Sequence, residues 1–503
     1  MQTVTQLRVI KNQVKLKELI KVQNSTPKWT VCPQCQGRGT KSRGITKKAK
    51  LRYQLALAQF ENSNGEGIVP IAPVGHQHTC LSCSGSGLIA SPNFPTSDPE
   101  NYPNVAIIGG GIGGVALAVA CLHRGIPFTL YERDANFEAR SQGYGLTLQQ
   151  ANKIMDGFGI LNLKDGVVST KHIVHTTDGK IIGEWGVRKW LAFQEKNFKK
   201  RTNIHIARQS LRLALLEQLG GSIMVKWNHQ LIDFKESADE SIQLSFQVGN
   251  EIQHAKADLV GGADGIRSSV RKLLIGDEAS PLRYLGCIVI LGICPLTALK
   301  HVASALLDSA TVFQTANGNE RIYMMPYTSD SIMWQLSFPM SEEEAKSLSA
   351  QGTKALKEEA CRRTQWHDPI PQILLATLES QISGYPVYDR ELLTSDLLAK
   401  ENAVTLIGDA AHPMSPFKGQ GANQALLDAL HLAKEIYKGC RSSSGWKERG
   451  IRATILNEFE SEMLERSASK VNDSAAAAAF LHSEIALYEG NEPRGRSLKR
   501  SGN

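Results

Sequence analysis

The sequence predicts an α/β fold: a Rossmann-like dinucleotide domain interleaved with a mixed-sheet domain, a helix near the C-terminal end, and a small cysteine-bearing module in front. Three observations predict it. A glycine-rich run at 109–114 follows an apolar strand and opens an apolar helix. Two later segments, 259–271 and 404–429, each read as a strand that ends at an acidic turn and runs into a helix. Finally, Cys32-Pro33-Gln34-Cys35-Gln36-Gly37-Arg38-Gly39 and Cys80-Leu81-Ser82-Cys83-Ser84-Gly85-Ser86-Gly87 repeat one C-x-x-C-x-G-x-G unit.

The two parts differ in charge. Residues 1–60 hold 13 Lys or Arg against one acid, Glu18, a surplus of twelve that leaves −4 for the other 443 residues out of a total of +8. Such asymmetry fits a nucleic-acid or protein partner for residues 1–100, and equally a solvated, solubilising face. With 42% hydrophobic and 21% charged residues the chain is globular rather than disordered. The apolar run 288–299 falls short of the roughly 20 residues of a membrane span, so no transmembrane segment is expected. The basic N-terminus lacks the apolar stretch of a secretory leader, which makes a reducing, cytoplasmic location the expectation.

Cys32, Cys35, Cys80 and Cys83 supply four thiolates on two turns whose glycines let backbone N–H groups face the sulfurs. That is the chemistry of a closed tetrahedral zinc site. His76 and His78 are alternative ligands, and redox-active or free thiols are the competing reading. The unit resembles the repeat of the DnaJ-type zinc domain, with two copies here against four there. Residues 47–60 have helical periodicity and are expected to pack on the cysteine turn; 62–67 read as a loop and 90–103 as a linker. Cys121, Cys287, Cys294, Cys361 and Cys440 are scattered and read as small core hydrophobes.

In the main body, residues 104–108 form a buried strand, and Gly109, Gly111 and Gly114 make the G-x-G-x-x-G turn into a helix at 115–122. Gly109 gives the tight turn, Gly111 admits a pyrophosphate, and Gly114 lets helix and strand pack closely. A second strand at 127–131 ends in Glu132, a carboxylate suited to a ribose 2′-hydroxyl and unfavourable to a 2′-phosphate. Taken alone, this unit fits FAD and NAD alike.

Asp264-Gly265 after a strand, then Gly408-Asp409 after another, followed by Pro416 and Gly419-Gln420-Gly421-Ala422-Asn423, complete a set of three motifs in order. Over residues 104–485 the chain resembles the group A FAD-dependent monooxygenases, the aromatic hydroxylases, including tetracycline-inactivating and salicylate-hydroxylase-like members. The resemblance implies an FAD domain at 101–280 and 396–440, with strands near 165–195 belonging to a substrate domain at 281–395. A C-terminal helix and basic tail would occupy 441–503.

It also implies roles. Glu132 with Arg133 would meet the adenosine ribose, Arg140 would lie beside the cofactor, and Arg208 would contact the ribityl side. Asp264 would approach the pyrophosphate and the nicotinamide cofactor. Asp409 would bind the ribityl chain, while Pro416, Gly419, Gln420, Gly421 and Asn423 would sit beside the isoalloxazine. A helix N-terminus there would face the ring edge that gathers negative charge on reduction. Asp428 reads as structural, and His412 as shaping the turn.

No second glycine motif follows a strand, so NAD(P)H is expected to reduce the flavin transiently at the surface. The resemblance then implies hydroxylation of an aromatic or polyketide-like molecule with O₂ through a flavin C4a-hydroperoxide. No protein nucleophile is needed, and no catalytic side chain is assigned. Strand-like stretches at 311–315, 321–327 and 331–338 would roof the pocket. Gln314, Arg321, Tyr323, Met325, Trp334 and Gln335 are candidate linings, their faces set by alternation. Trp185 and Trp190 are further candidates, with core packing the competing role. Epoxidation, oxidation without oxygen insertion, and a binding protein with a redox-sensing flavin domain are the alternatives.

Overall fold

The computed structural model describes residues 27–42, 44–63, 69–70, 72–73, 75, 77–140, 143–149, 151–186, 203–401, 403–440 and 445–493. The chain divides into two compact units, Met1–Pro95 and Thr96–Asn503. His76, Trp190 and the basic tail lie outside the described residues.

The first unit is built from short antiparallel pairs. Lys28–Val31 pairs with Leu88–Ser91, and Thr40–Ser42 with Gln77–Thr79, so each C-x-x-C turn leads out of one pair and into another. The helix Lys47–Asn62 forms as the periodicity predicts, N-capped by Thr46, whose hydroxyl accepts from the Ala49 N–H at 3.2 Å. None of its residues is buried, so the expected packing on the cysteine turn is not made. Among its described residues, the buried apolar side chains are Leu88 and the four cysteines.

The second unit has two main sheets. Five parallel strands run in the order Val225–Lys226, Phe128–Tyr131, Val105–Ile108, Leu259–Gly262, Val404–Leu406. Parallel neighbours need crossovers, and the helix Ile112–Leu122 supplies the first. It is apolar on every face because it is covered on the far side by Gly421–Gly439; a Cβ on Gly113 would lie 3.5 Å from Ala425 Cβ.

The other sheet has seven strands, ordered Ile181–Trp185, Lys171–Thr176, Thr311–Ala316, Arg321–Thr328, Ser331–Pro339, Leu282–Pro295, Ile382–Arg390. Its pairs are antiparallel except that between Lys171–Thr176 and Thr311–Ala316. One face packs on the helices Thr353–Arg363 and Ile370–Ala376 through Phe313, Ile322, Trp334 and Leu336. The opposite face lines a cavity. Beside it, Gly145–Leu148 pairs with Ile204–Ala207, and the helix Asn457–Phe480 is tied in by the Ser415 hydroxyl, which donates to Ser474 O at 2.6 Å. Among the described residues no helix is long and apolar enough to cross a membrane.

Candidate functional site

A cleft of about 110 Å³ opens at the carboxyl ends of the parallel strands, the crevice in which such sheets bind ligands. Gly109 has φ +107°, and a Cβ there would meet Ala263 O at 2.6 Å. On Gly114 a Cβ would fall 1.8 Å from Gly109 O, so helix and turn close only around glycine. Gly111 differs: the nearest atom to its Cβ would be Arg208 Nη2 at 3.8 Å. It begins Ile112–Leu122 with no side-chain cap, leaving the helix N-terminus open to an anion.

Glu132 ends its strand buried at this cleft, accepting from the Gly110 N–H at 2.6 Å and the Asp134 N–H at 2.9 Å. It therefore holds the glycine turn while lining the cleft, whereas Arg133 is exposed beside it. Asp264, also in the lining, caps the helix Ser269–Ile275 by accepting from the Ser269 N–H at 2.7 Å and from the Ser268 hydroxyl. Burial raises its carboxyl pKa against those hydrogen bonds. Arg140 ends the short 3-10 turn Phe137–Arg140; its side chain lies outside the described residues.

Arg212 is a residue the sequence reading missed. It is buried, its Nε donates to Gly110 O at 2.6 Å, and its guanidinium stacks between Phe137 and Trp227 at 5.0 and 5.4 Å. The signal was its place one helical turn after Arg208, which puts both on the same face of Arg208–Gln218. Arg271 was missed likewise. It is buried and donates to Ala410 O and Ala411 O at 2.8 and 2.9 Å, pinning the second of the three motifs to the third.

A second cavity, of about 670 Å³, lies between the seven-stranded sheet and the turn 416–421. Asp409 is reachable from it although surrounded by protein, and that crowding raises its pKa. A Cβ on Gly421 would lie 3.5 Å from Asp409 Oδ1, so the carboxylate stands at the N-terminus of Gly421–Gly439. Pro416 opens the preceding 3-10 turn, Gly419 takes φ +59°, and the Gln420 amide donates to Gln149 Oε1 at 2.7 Å. Arg208 lines the first cleft and interacts with Tyr144 and Asp409, which line the second, so it stands between the two.

Two expected site residues are placed differently. Asn423 is buried and spends its amide on backbone, accepting from the Gln149 N–H at 3.0 Å and donating to Thr147 O and Gly419 O at 2.9 Å each. It clamps the turn to a neighbouring strand rather than facing the cavity. Trp334 is a correction. It is fully buried on the helix-packed face, its Nε1 donating to the Thr377 hydroxyl at 2.9 Å, because alternation along Ser331–Pro339 sends Met333 and Gln335 to the cavity instead. Gln314, Arg321, Tyr323 and Met325 do line it, as does Trp185, stacked on His172 at 5.3 Å.

Beneath the turn, Asp428 is fully buried and accepts from the Gly408 N–H, from His412 Nε2 at 2.7 Å and from Arg466 Nη2 at 2.8 Å. His412 thus serves the turn's scaffold. At the cavity wall, burial lowers the His172 pKa to about 4 and that of His205 to about 3, so both rings are neutral at neutral pH.

In the first unit, the sulfurs of Cys32, Cys35, Cys80 and Cys83 all lie within 4.8 Å of one another and are buried. Cys35 Sγ and Cys83 Sγ are 3.7 Å apart, too far for a disulfide; sulfurs bound at about 2.3 Å to a tetrahedral ion stand about 3.8 Å apart. The Gly39 and Gly87 N–H groups donate to Cys35 and Cys83 Sγ at 3.3 Å each. The site fits a zinc ion. His78 is exposed in its strand and is not one of the four.

An open glycine cradle, an acid ending the second strand and a second helix N-terminus over a large cavity define a protein that holds a flavin dinucleotide. The chain belongs to the FAD binding domain family, whose family model matches residues 102–447. It is 27% identical over 402 residues to a chloroplastic zeaxanthin epoxidase of Solanum lycopersicum, covering 78% of this chain and 56% of that protein. It thus spans little more than half the length of that relative. It is 28% identical to the aurachin C monooxygenase/isomerase of Stigmatella aurantiaca, over 66% of this chain and 79% of that one. The fold matches Klebsiella pneumoniae HpxO complexed with FAD and uric acid, with TM-score 0.62 and 20% identity over 76% of this chain and 90% of that one.

Proposed function

We propose that this chain is an FAD-dependent monooxygenase that uses NAD(P)H and O₂ to hydroxylate an aromatic or polycyclic small molecule in the 670 Å³ cavity. The observation that carries the reading is that one cavity has the N-terminus of Gly421–Gly439 on one side and the sheet face of Tyr323, Met325 and Gln335 on the other. When bound, FAD supplies the electron storage and oxygen activation that side chains lack.

The chain's own residues do the rest. The backbone at 109–111 and the helix behind it take the pyrophosphate, and Glu132 takes the adenosine ribose. Arg208 and Asp409 would hold the ribityl side of FAD, and the turn at 419–421 with the helix N-terminus behind it would stabilise negative charge on the flavin. Met325, Met333 and Tyr323 exclude water and seat the substrate. NAD(P)H is a visiting reductant in this proposal, and the compartment is the reducing cytoplasm. The first unit carries a structural zinc ion on Cys32, Cys35, Cys80 and Cys83.

Epoxidation of an alkene in the same cavity is a second reading, supported by the likeness to zeaxanthin epoxidases. The test is NAD(P)H consumption by the purified yellow protein against phenols, quinone precursors, polycyclic antibiotics and alkenes, with products assayed by mass. A product one oxygen heavier is expected, and phenols against alkenes separate the two readings. A colourless protein that takes up no FAD, or one that yields only hydrogen peroxide with every class, would overturn the assignment.

A further inference from the structure

The large cavity reaches well beyond the turn at 416–421. Its lining runs across the seven-stranded sheet from Tyr385 and Tyr388 on the last strand to Trp185 on the first. Trp185 stands directly opposite His172 in the strand pairing, and the two rings stack at 5.3 Å with 8° between their planes. His172 Nε2 lies 3.2 Å from the Ser169 hydroxyl, and burial keeps the ring neutral at neutral pH. Among the described residues, Trp185 joins none of the apolar cores of its unit. Core packing therefore does not account for it, and a large ring left half-buried at a cavity marks a ligand surface.

The strand that carries Trp185 is fixed along both edges. Its inner edge pairs with Lys171–Thr176, and the chain's C-terminal segment covers the outer one. There the Gly490 N–H donates to Ile182 O at 3.0 Å, and Asn491 Oδ1 accepts from the Glu184 N–H at 2.9 Å. Two residues further on, Pro493 joins the cavity lining. The indole is thus positioned by its backbone rather than by a core. Tyr323 lies three strands away, about 14 Å at the ordinary spacing of neighbouring strands. A single phenolic ring spans little more than one such spacing, so it cannot touch Tyr323 and Trp185 together.

We propose that the Trp185–His172 stack is a distal subsite that selects an elongated, two-part substrate. The ring to be oxygenated lies between Tyr323 and the turn at 416–421, and a second flat group, aromatic or conjugated, stacks on the Trp185 indole. The inference rests on the cavity being the substrate site, and it narrows the substrate class: a lone phenol leaves the distal end unused. An aromatic face favours a flat partner over a saturated ring of the same size.

The test uses the FAD-loaded full chain and three phenols that differ only at the far end: 4-(4-phenylbutyl)phenol, 4-(4-cyclohexylbutyl)phenol and 4-butylphenol. Binding is read from the perturbation of the bound flavin's absorbance, which needs no turnover. The unmodified protein is expected to bind the phenylbutyl probe about fivefold more tightly than the cyclohexylbutyl probe, and about tenfold or more tightly than 4-butylphenol. Trp185→Leu keeps an apolar side chain without a ring face and should bring the phenyl and cyclohexyl probes together, while Trp185→Phe should keep part of the difference. Trp185→Met replaces the Leu variant if that one does not load flavin. Equal binding of the phenyl and cyclohexyl probes by the unmodified protein, 4-butylphenol binding as tightly as the phenylbutyl probe, failure of the phenylbutyl probe to perturb the flavin up to its solubility limit, or a phenyl preference that survives loss of the indole would each overturn the proposal. Failure of the monooxygenase reading has a different signature: the phenyl preference stays while no probe gains oxygen.

Discussion

The first unit and the second solve the problem of folding by opposite means. Residues 96–503 enclose extensive apolar cores, one around the parallel sheet and another under the seven-stranded sheet. The first unit buries Leu88 and four cysteines, and its helix Lys47–Asn62 contributes no buried residue. Two-stranded pairs without an apolar face are marginal in water, so the sulfur cluster must hold this unit together. A thiolate cluster is stable only with a cation among the charges, whereas the larger unit depends on packing. The comparison also relocates the charge surplus: the net positive charge falls on the part with least core, and the mildly acidic remainder carries the cavities.

The largest expected effect comes from the zinc ion proposed for the four cysteines. Stripping zinc with a chelator should remove hydrogen-exchange protection from 28–42 and 77–91, a loss consistent with the roughly 10–16 kcal/mol that structural zinc contributes in small domains. The melting temperature and flavin absorbance of the rest should not change. Protection that persists without metal would break the contrast.

Gly114→Ala reverses the test. Its Cβ would fall 1.8 Å from Gly109 O, so a destabilisation of about 3 kcal/mol or more and loss of bound FAD are expected. Cobalt substituted into the four-cysteine site should keep an unchanged thiolate spectrum in that variant. Intact flavin loading would show that the helix can shift away.

The smallest effect concerns pH. Burial opposes the charging of His431, but Glu435 and Glu462 raise its pKa to about 9. A raised pKa contributes stability that is complete below the unfolded value of about 6.5 and is lost as pH rises through about 9. The melting temperature of the larger unit should therefore fall more between these values in the unmodified protein than in His431→Gln. Parallel pH curves would remove His431 from the account.

The most legible parts were those where local backbone chemistry admits few residues. Only glycine meets the approach distances at 109 and 114, and an acid after a buried strand is tolerated only where donors await it, as at Asp264. The cysteine repeat was legible because its spacing is that of a ligand turn. The pocket face was half legible. Alternation says that Trp334 and Gln335 point to opposite sides of the sheet, but not which side faces the cavity. That phase is set by Phe313, Ile322 and Trp334 packing on helices far along the chain. Arg212 was hidden for a similar reason: its partner, Gly110 O, lies 102 residues away.

By itself the sequence determined the strand-turn-helix units, the glycine positions, the metal-type cysteine turns and the order of the three motifs. Each rests on steric or ligand chemistry within a dozen residues. The tertiary structure alone decided which groups share a space: Asp409 with the helix N-terminus, Arg208 between two cavities, and Arg321 with Gln314 on the cavity wall. Those facts depend on distances between strands remote in sequence, and on which charges find partners once water has been excluded.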